Sequence, residues 1–137
     1  MTPLAVDTSV AVPYLMRSHS THQPVRQALD GRSLVLTGHS LAETYSVITR
    51  LPGDARVAPE DAVALLEASF DEPAVLDDIT AATLPQILAP LGVAGGAVYD
   101  ALVALAARAH GLVLASRDLR AVTTYKALSA EVMVVES

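Results

Sequence analysis

The sequence predicts one α/β domain, residues 1–137, in which a parallel five-stranded sheet lies between layers of helices. Three observations support this. Five short apolar runs lack polar alternation, which is typical of strands buried on both faces of a parallel sheet. Longer segments with helical spacing separate these runs. Finally, 137 residues with 52% hydrophobic content are enough to bury one sizeable core.

The predicted elements alternate along the chain. The strands are 4–6, 34–37, 74–76, 112–115 and 132–135. The helices are 9–16, 21–29, 41–51, 59–70, 81–91, 97–109 and 119–128. Ser20 or Thr21 can cap the second helix, and Pro59 suits the first turn of the fourth. Pro85 and Pro90 predict that the fifth helix is short, kinked or broken.

Composition excludes several classes of function. The chain has no Cys, which rules out a thiolate nucleophile, a disulfide framework and a Cys-ligated metal. Phe, Trp and Tyr make up only 4% of the residues, so a stacking platform for nucleic-acid bases is hard to build. The net charge of −6 argues against nucleic-acid binding through bulk charge. However, no Lys or Arg lies between Arg56 and Arg108, so both ends of the chain could contribute to a basic surface.

A membrane location is not expected, although the mean hydropathy is +0.42. The most apolar stretch, 93–115, is interrupted by Asp100, Arg108 and His110. The first residues lack the basic start of a signal peptide, and Asp7 would interrupt its apolar region. We therefore expect a cytoplasmic protein.

Four acidic residues stand alone among apolar or polar neighbours, namely Asp7, Glu43, Asp100 and Asp118. Three of them also have a structural explanation. Asp7 and Asp118 follow predicted strands and could cap the next helix, and Ser40 with Glu43 has the spacing of a capping box.

Asp100 lies in the first turn of the predicted helix 97–109, which is apolar on every face. A carboxylate buried there would require a partner of opposite charge. Arg108 or Arg117 could supply an ion pair.

The four acids could also share one cleft, because functional residues of open parallel sheets gather at the carboxyl ends of the strands. Two carboxylates about 4 Å apart repel by about 4 kcal/mol at an effective dielectric constant near 20. Six such pairs, even at wider spacing, would cost on the order of 10 kcal/mol, comparable to the ~5–15 kcal/mol stability of a domain. Either some carboxylates are protonated or a divalent cation lies among them, and oxygen ligands favour Mg²⁺ or Mn²⁺ over zinc.

The chain resembles PIN-domain ribonucleases, and in particular VapC-type toxins of bacterial toxin–antitoxin pairs. The resemblance covers essentially the whole chain and rests on four motifs in order. These are Val-Asp-Thr-Ser at 6–9, His-Ser-Leu-Ala-Glu-Thr at 39–44, Tyr-Asp-Ala-Leu at 99–102 and Ser-Arg-Asp at 116–118. At Ser116 the family usually has Thr, and Ser keeps the hydroxyl group.

The resemblance implies an endoribonuclease that depends on Mg²⁺, with Mn²⁺ as a substitute. Asp7 and Asp100 would be the principal metal ligands, and Asp118 and Glu43 would complete the shell. It also implies a VapB-like antitoxin as partner. Ser9 and Ser116 would orient water or the ligands.

Substrate binding is expected to depend on arginines. Arg17, Arg117 and Arg120 flank the motifs and could contact RNA phosphates. For the four histidines, His19, His22, His39 and His110, we expect surface or capping roles, although His39 could touch RNA because it lies near Glu43. The apolar surplus of this small chain suggests a homodimer.

Two other functions remain open at this point. One is an α/β phosphatase that uses Asp7 as its nucleophile, but the second Asp expected two residues later is Ser9, and Lys126 is the only lysine. The other is a catalytically inactive PIN-like module that binds RNA or protein, in which the acids only cap helices.

Overall fold

The computed structural model describes residues 2–136. Its strands are β1 (Leu4–Val6), β2 (Leu34–Val35), β3 (Leu114–Ser116) and β4 (Val132–Val134). Its helices are α1 (Thr8–Leu15), α2 (His22–Ala28), α3 (Gly38–Ile48), α4 (Pro59–Ser69), α5 (Asp78–Ala82), α6 (Leu84–Leu88), α7 (Ala97–Ala109) and α8 (Leu119–Ala127). Short 3₁₀ helices occupy Gly53–Ala55 and Ala89–Leu91.

The sheet is parallel throughout, with the strand order β2-β1-β3-β4. Ala5 of β1 pairs with Val35 on one side and Leu114 on the other, so β1 is central. The carboxyl ends of β1 and β3 are therefore neighbours, which places the residues that follow them side by side.

The predicted fifth strand at 74–76 is wrong. Only Ala74 makes a bridge, to Thr37, and the described residues form a four-stranded sheet. Val75 is 61% exposed and so lacks the burial that a strand of this type needs. The chain then turns into α5, because the carboxylate of Asp77 accepts a hydrogen bond from the backbone N–H of Thr80 at 3.0 Å.

The core lies on both faces of the sheet, as the predicted α/β architecture requires. Leu4 and Val6 pack in one apolar cluster with residues of α1 and α2, and Ala5 packs in the other with residues of α7 and α8. Successive side chains of a strand point to opposite faces, so three residues of β1 join both layers.

Helix α3 is displaced by three residues from the predicted segment 41–51, whereas α1, α2, α4, α7 and α8 begin and end within one residue of their predictions. Helix α3 begins at Gly38 rather than at residue 41, and the hydroxyl of Thr37 caps it by accepting a hydrogen bond from the N–H of Ser40 at 3.2 Å. The capping box of Ser40 and Glu43 is therefore wrong, since both residues lie inside the helix.

Segment 81–91 does not form one continuous helix. This segment is broken into α5, α6 and a 3₁₀ turn, as the prolines predicted.

No helix within residues 2–136 has the length and apolar character needed to cross a membrane.

Candidate active site

All four isolated acids border one small cavity beside the carboxyl ends of β1 and β3. Asp7 follows β1, Asp118 follows β3, Asp100 lies in the first turn of α7, and Glu43 lies on α3. The cavity has a volume of about 60 Å³. Its lining also includes Thr8, Ser9, His39, Ser40, Val103, Ala121 and Tyr125. The fold thus brings together residues that are up to 111 positions apart in the sequence, from Asp7 to Asp118.

Asp7 is the most buried of these acids, with 3% of its surface exposed. It occupies the N-cap position of α1, but its side chain accepts no backbone hydrogen bond there, so the capping explanation fails for the carboxylate. Instead, Oδ1 accepts a hydrogen bond from Ser9 Oγ at 2.6 Å and Oδ2 accepts one from Tyr125 Oη at 2.8 Å. Burial raises the pKa of Asp7, and the hydroxyls of Ser116, Ser9 and Tyr125 partly oppose that rise.

The serine hydroxyls tie the two strand ends together. Ser9 Oγ accepts a hydrogen bond from the N–H of Arg117 at 2.8 Å and lies 3.4 Å from Ser116 Oγ. Ser116 Oγ accepts a hydrogen bond from the N–H of Asp118 at 3.1 Å. These contacts fix the turn after β3 against the start of α1, which sets the relative position of Asp7 and Asp118.

Asp100 is half-buried and has no ion pair among the described residues. The alternative explanation, an ion pair of Asp100 with Arg108 or Arg117, therefore fails. Arg108 donates to the carbonyl of Leu128, and Arg117 donates to the carbonyl of Ser9. The pKa of Asp100 is raised, first by burial and next by the charge of Asp118. Asp7 and Glu43 also raise the pKa of Asp100, whereas Arg120 lowers it. Asp100 therefore experiences the repulsion expected of clustered carboxylates.

Asp118 does cap α8, as predicted. Its Oδ1 accepts hydrogen bonds from the backbone N–H groups of Arg120 and Ala121 at 3.0 and 3.2 Å. Its Oδ2 lies 4.0 Å from Nη2 of Arg120, a side chain that is 92% exposed. One oxygen of Asp118 thus caps the helix, and the other faces the solvent-exposed guanidinium of Arg120.

The donor set fits a hard divalent cation, because the cavity offers carboxylate and hydroxyl oxygens and no sulfur. Within residues 2–136, however, no three His, Asp or Glu side chains are already placed to hold a metal ion together. Glu43 is about half exposed, and its Oε2 lies 3.7 Å from Nε2 of His39. As placed, these carboxylates therefore border one cavity without forming a closed coordination shell.

Tyr125 was not predicted from the sequence. This residue is 2% exposed, and burial first and the negative charge of Asp7 next raise the pKa of its phenol, so it stays protonated and donates to Asp7. A signal was available, because Tyr125 lies seven residues after Asp118 and so shares a helix face with it.

The predicted phosphate-binding arginines occupy different places. Arg117 and Arg120 flank Asp118. Arg17 is exposed and lines a separate basic cleft with His22, Gln23 and Arg26. All four histidines, predicted to have surface or capping roles, contact nearby groups. His39 lies beside Glu43, and His110 Nε2 lies 2.8 Å from the carbonyl oxygen of Val75. His22 Nδ1 lies 2.7 Å from the carbonyl oxygen of Pro13, and His19 Nδ1 accepts a hydrogen bond from the N–H of Thr21.

A comparison with known families decides the family of this chain. The model of the PIN domain matches residues 4–127. The chain belongs to the PIN-domain family. This match does not favour the alternative of an α/β phosphatase.

The relatives of this PIN domain are VapC proteins. It is 53% identical over 132 residues to Ribonuclease VapC27 of Mycobacterium tuberculosis, with 96% of each chain covered. It is 43% identical over 133 residues to Ribonuclease VapC40 of the same organism, with 96% of this chain and 98% of the relative covered. The resemblance to VapC-type PIN domains is therefore confirmed.

Solved structures share the fold at lower identity. VapC20 of Mycobacterium tuberculosis, a sarcin–ricin loop cleaving toxin, has a TM-score of 0.66 at 16% identity over 88% of this chain and 93% of its own. FitAcB from Neisseria gonorrhoeae has a TM-score of 0.66 at 20% identity, with 95% of this chain and 96% of its own covered. These two likenesses show the fold of this PIN domain and nothing further.

Proposed function

We propose that this PIN domain is an endoribonuclease that hydrolyses RNA phosphodiester bonds with Mg²⁺, or Mn²⁺ in its place, and acts as a VapC-type toxin. The observation that carries the proposal is the meeting of Asp7, Glu43, Asp100 and Asp118 at one cavity between neighbouring strand ends. The 53% identity to Ribonuclease VapC27 supports RNA as the substrate.

The metal supplies two kinds of chemistry when bound: it lowers the pKa of a coordinated water and it stabilises negative charge on the phosphate. The protein residues position the ligands. The hydroxyl groups of Ser9 and Tyr125 donate hydrogen bonds to Oδ1 and Oδ2 of Asp7, respectively, and so fix the orientation of this carboxylate. Asp100 faces the same space from α7, and its pKa is raised first by burial and next by the charge of Asp118, a repulsion that a divalent cation would relieve. Asp118 and Glu43 complete the set from α8 and α3.

Arg17, Arg117 and Arg120 are proposed to bind phosphates of the RNA backbone. Arg117 and Arg120 lie beside Asp118, and Arg17 lies in the separate cleft that it shares with His22 and Arg26. Because such contacts release counterions, cleavage by the wild type should weaken steeply as salt is added.

We also propose a VapB-like antitoxin as the partner of this chain. Proteins of this fold have been solved as VapBC complexes, among them VapBC2 from Rickettsia felis and VapBC from Salmonella typhimurium, each with bound DNA. An antitoxin that covers the carboxylate cavity would block both the metal and the substrate.

Purified protein, a pool of cellular RNA and sequencing of the cleaved ends test the enzymatic proposal. Cleavage should appear with Mg²⁺ or Mn²⁺, stop in chelator and return when either metal is restored. Asp7→Ala serves as the inactive control and also shows that no contaminating nuclease is present. Undiminished cleavage by the wild type in excess chelator would overturn the metal mechanism.

Expression in a bacterial host tests the toxin proposal. The chain alone should arrest growth, whereas a folded Asp7→Ala protein should not. Arrest by Asp7→Ala at equal expression would instead indicate toxicity through binding, which is the alternative of an inactive PIN-like module.

A further inference from the structure

Two aromatic rings form a stack at the edge of the carboxylate cavity. The ring of His39 on α3 lies over the ring of Tyr99 on α7, with centroids 5.4 Å apart and an interplanar angle of 18°. His39 lines the cavity beside Glu43, and Tyr99 directly precedes Asp100. The stack therefore runs from the wall of the proposed active site to the surface of the molecule.

Tyr99 presents more than half of its surface to solvent. It is 57% exposed, and its hydroxyl makes no hydrogen bond among the described residues. A contact that only joined α3 to α7 would not need an open ring, because an aliphatic side chain could make it. The exposed aromatic surface next to an active-site acid is instead what a planar ligand would use.

We propose that His39 and Tyr99 form a stacking subsite for an unpaired nucleobase of the RNA substrate, next to the phosphate that is cleaved. This inference rests on the proposed ribonuclease activity. A base within a duplex is already stacked and paired, so it cannot reach such a subsite without leaving the helix. Every base has a π face, so the subsite selects unpaired structure more than sequence.

The low aromatic content had predicted that a platform of this kind is hard to build. That count includes Phe, Trp and Tyr only. Imidazole rings also stack on bases, and here His39 supplies the second ring. The imidazole of His39 on α3 and the phenol ring of Tyr99 on α7 thus form an aromatic stack that a count of Phe, Trp and Tyr does not predict.

Binding of a fluorescent RNA tests the subsite without catalysis. The probe is a short single-stranded oligoribonucleotide of random sequence with one central 2-aminopurine, whose fluorescence falls when the base stacks. In chelator, the wild type and Tyr99→Phe should bind and quench the probe. Tyr99→Leu should bind roughly 5- to 150-fold more weakly, which corresponds to the loss of about 1–3 kcal/mol of base stacking, and should not quench.

Tyr45→Leu is the matched control. Tyr45 is an exposed tyrosine on α3, but it lines the groove between α3 and α4 rather than the carboxylate cavity. Its replacement should leave binding and quenching unchanged. His39→Leu is a second variant, which removes the other ring from a different helix, and it should weaken quenching in the same direction. A duplex probe should show little quenching with any of these proteins.

The outcomes separate this inference from the proposed function. If Tyr99→Leu keeps the melting temperature, affinity and quenching of the wild type, the stacking subsite is wrong even if the wild type cleaves RNA. If the wild type quenches the probe but cleaves no RNA with either metal, the ribonuclease proposal is wrong and the stacking subsite stands. With an active enzyme, Tyr99→Leu should also raise KM or shift the cleavage positions, and Tyr99→Phe should restore both.

Discussion

Tyr125 is one of three residues, with Ser116 and Ser9, whose hydroxyl groups oppose the rise in the pKa of Asp7 that burial causes. Its phenol donates to Oδ2 of Asp7 and stabilises the ionised carboxylate against the cost of burial. Tyr125→Phe keeps the ring in the core and removes only this donor, so the pKa of Asp7 should rise further. The acid limb of the pH profile for RNA cleavage should then move to higher pH.

Tyr14→Phe is the control for that experiment. Tyr14 packs against Phe70 and beneath the guanidinium of Arg26, and it does not line the carboxylate cavity. Its pH profile should match that of the wild type. An unshifted profile for Tyr125→Phe would mean that the phenol has no part in setting the charge of Asp7.

Asp100 is a carboxylate whose charge costs stability when no metal is bound. Burial and the neighbouring carboxylates raise its pKa, so the ionised form is less favourable in the folded protein than in the unfolded chain. Asp100→Asn should therefore melt in chelator at a temperature equal to or above that of the wild type, while losing cleavage and Mn²⁺ affinity. A clear drop in the metal-free melting temperature with cleavage unchanged would make Asp100 structural.

At the scale of elements, Asp118 has two roles that can be separated. Its Oδ1 caps α8, and the same carboxylate borders the cavity. Asp118→Asn keeps an oxygen that can accept the capping hydrogen bonds, so it should retain the stability of the wild type and lose cleavage. Asp118→Ala should lose cleavage and also about 1 kcal/mol of stability, measured by urea unfolding. Equal stability of both variants would mean that the cap contributes little.

The sequence predicted the ends of β1 and β3 well because each is a short apolar run followed at once by polar residues. This pattern is local, and it places Asp7 and Asp118 correctly. The segment 74–76 has the same local pattern but pairs through only one residue, because pairing depends on which strand lies alongside. The predicted cap of α3 was wrong because Thr37 and Ser40 are both residue types that can cap a helix. The structure shows that Thr37 is the cap and that the helix begins at Gly38.

The sequence predicted that the four acids could share one cleft, which they do, but it did not predict the contacts around them. Isolation among apolar neighbours identified Asp7, Glu43, Asp100 and Asp118, because unpartnered charge in such segments requires an explanation. The hydrogen bond from Tyr125 to Asp7 joins residues 118 positions apart. Likewise, the stack of His39 and Tyr99 depends on how α3 packs beside α7. Neither contact leaves a periodic signal in the sequence.

At the scale of the whole molecule, the clustered acids should give the metal-free protein an unusual dependence of stability on pH. The pKa values of Asp7 and Asp100 are raised above the ordinary value of 3.8 in the folded state. Above pH 3.8 the unfolded chain releases these protons first, so the folded state binds more protons. The free energy of unfolding should therefore fall as the pH rises through the folded pKa values of the two acids.

Thermal melts in chelator across this pH range, compared for the wild type and Asp100→Asn, measure the effect. The wild type should lose more stability between acid and neutral pH than the variant, because the variant lacks one of the two raised carboxylates. Mn²⁺ at neutral pH should reverse the loss for the wild type, by about 2.7 kcal/mol when its concentration is about 100 times its Kd, and do little for Asp100→Asn. Parallel pH curves for both proteins, with equal responses to Mn²⁺, would show that Asp100 neither carries the carboxylate repulsion nor binds the cation that relieves it.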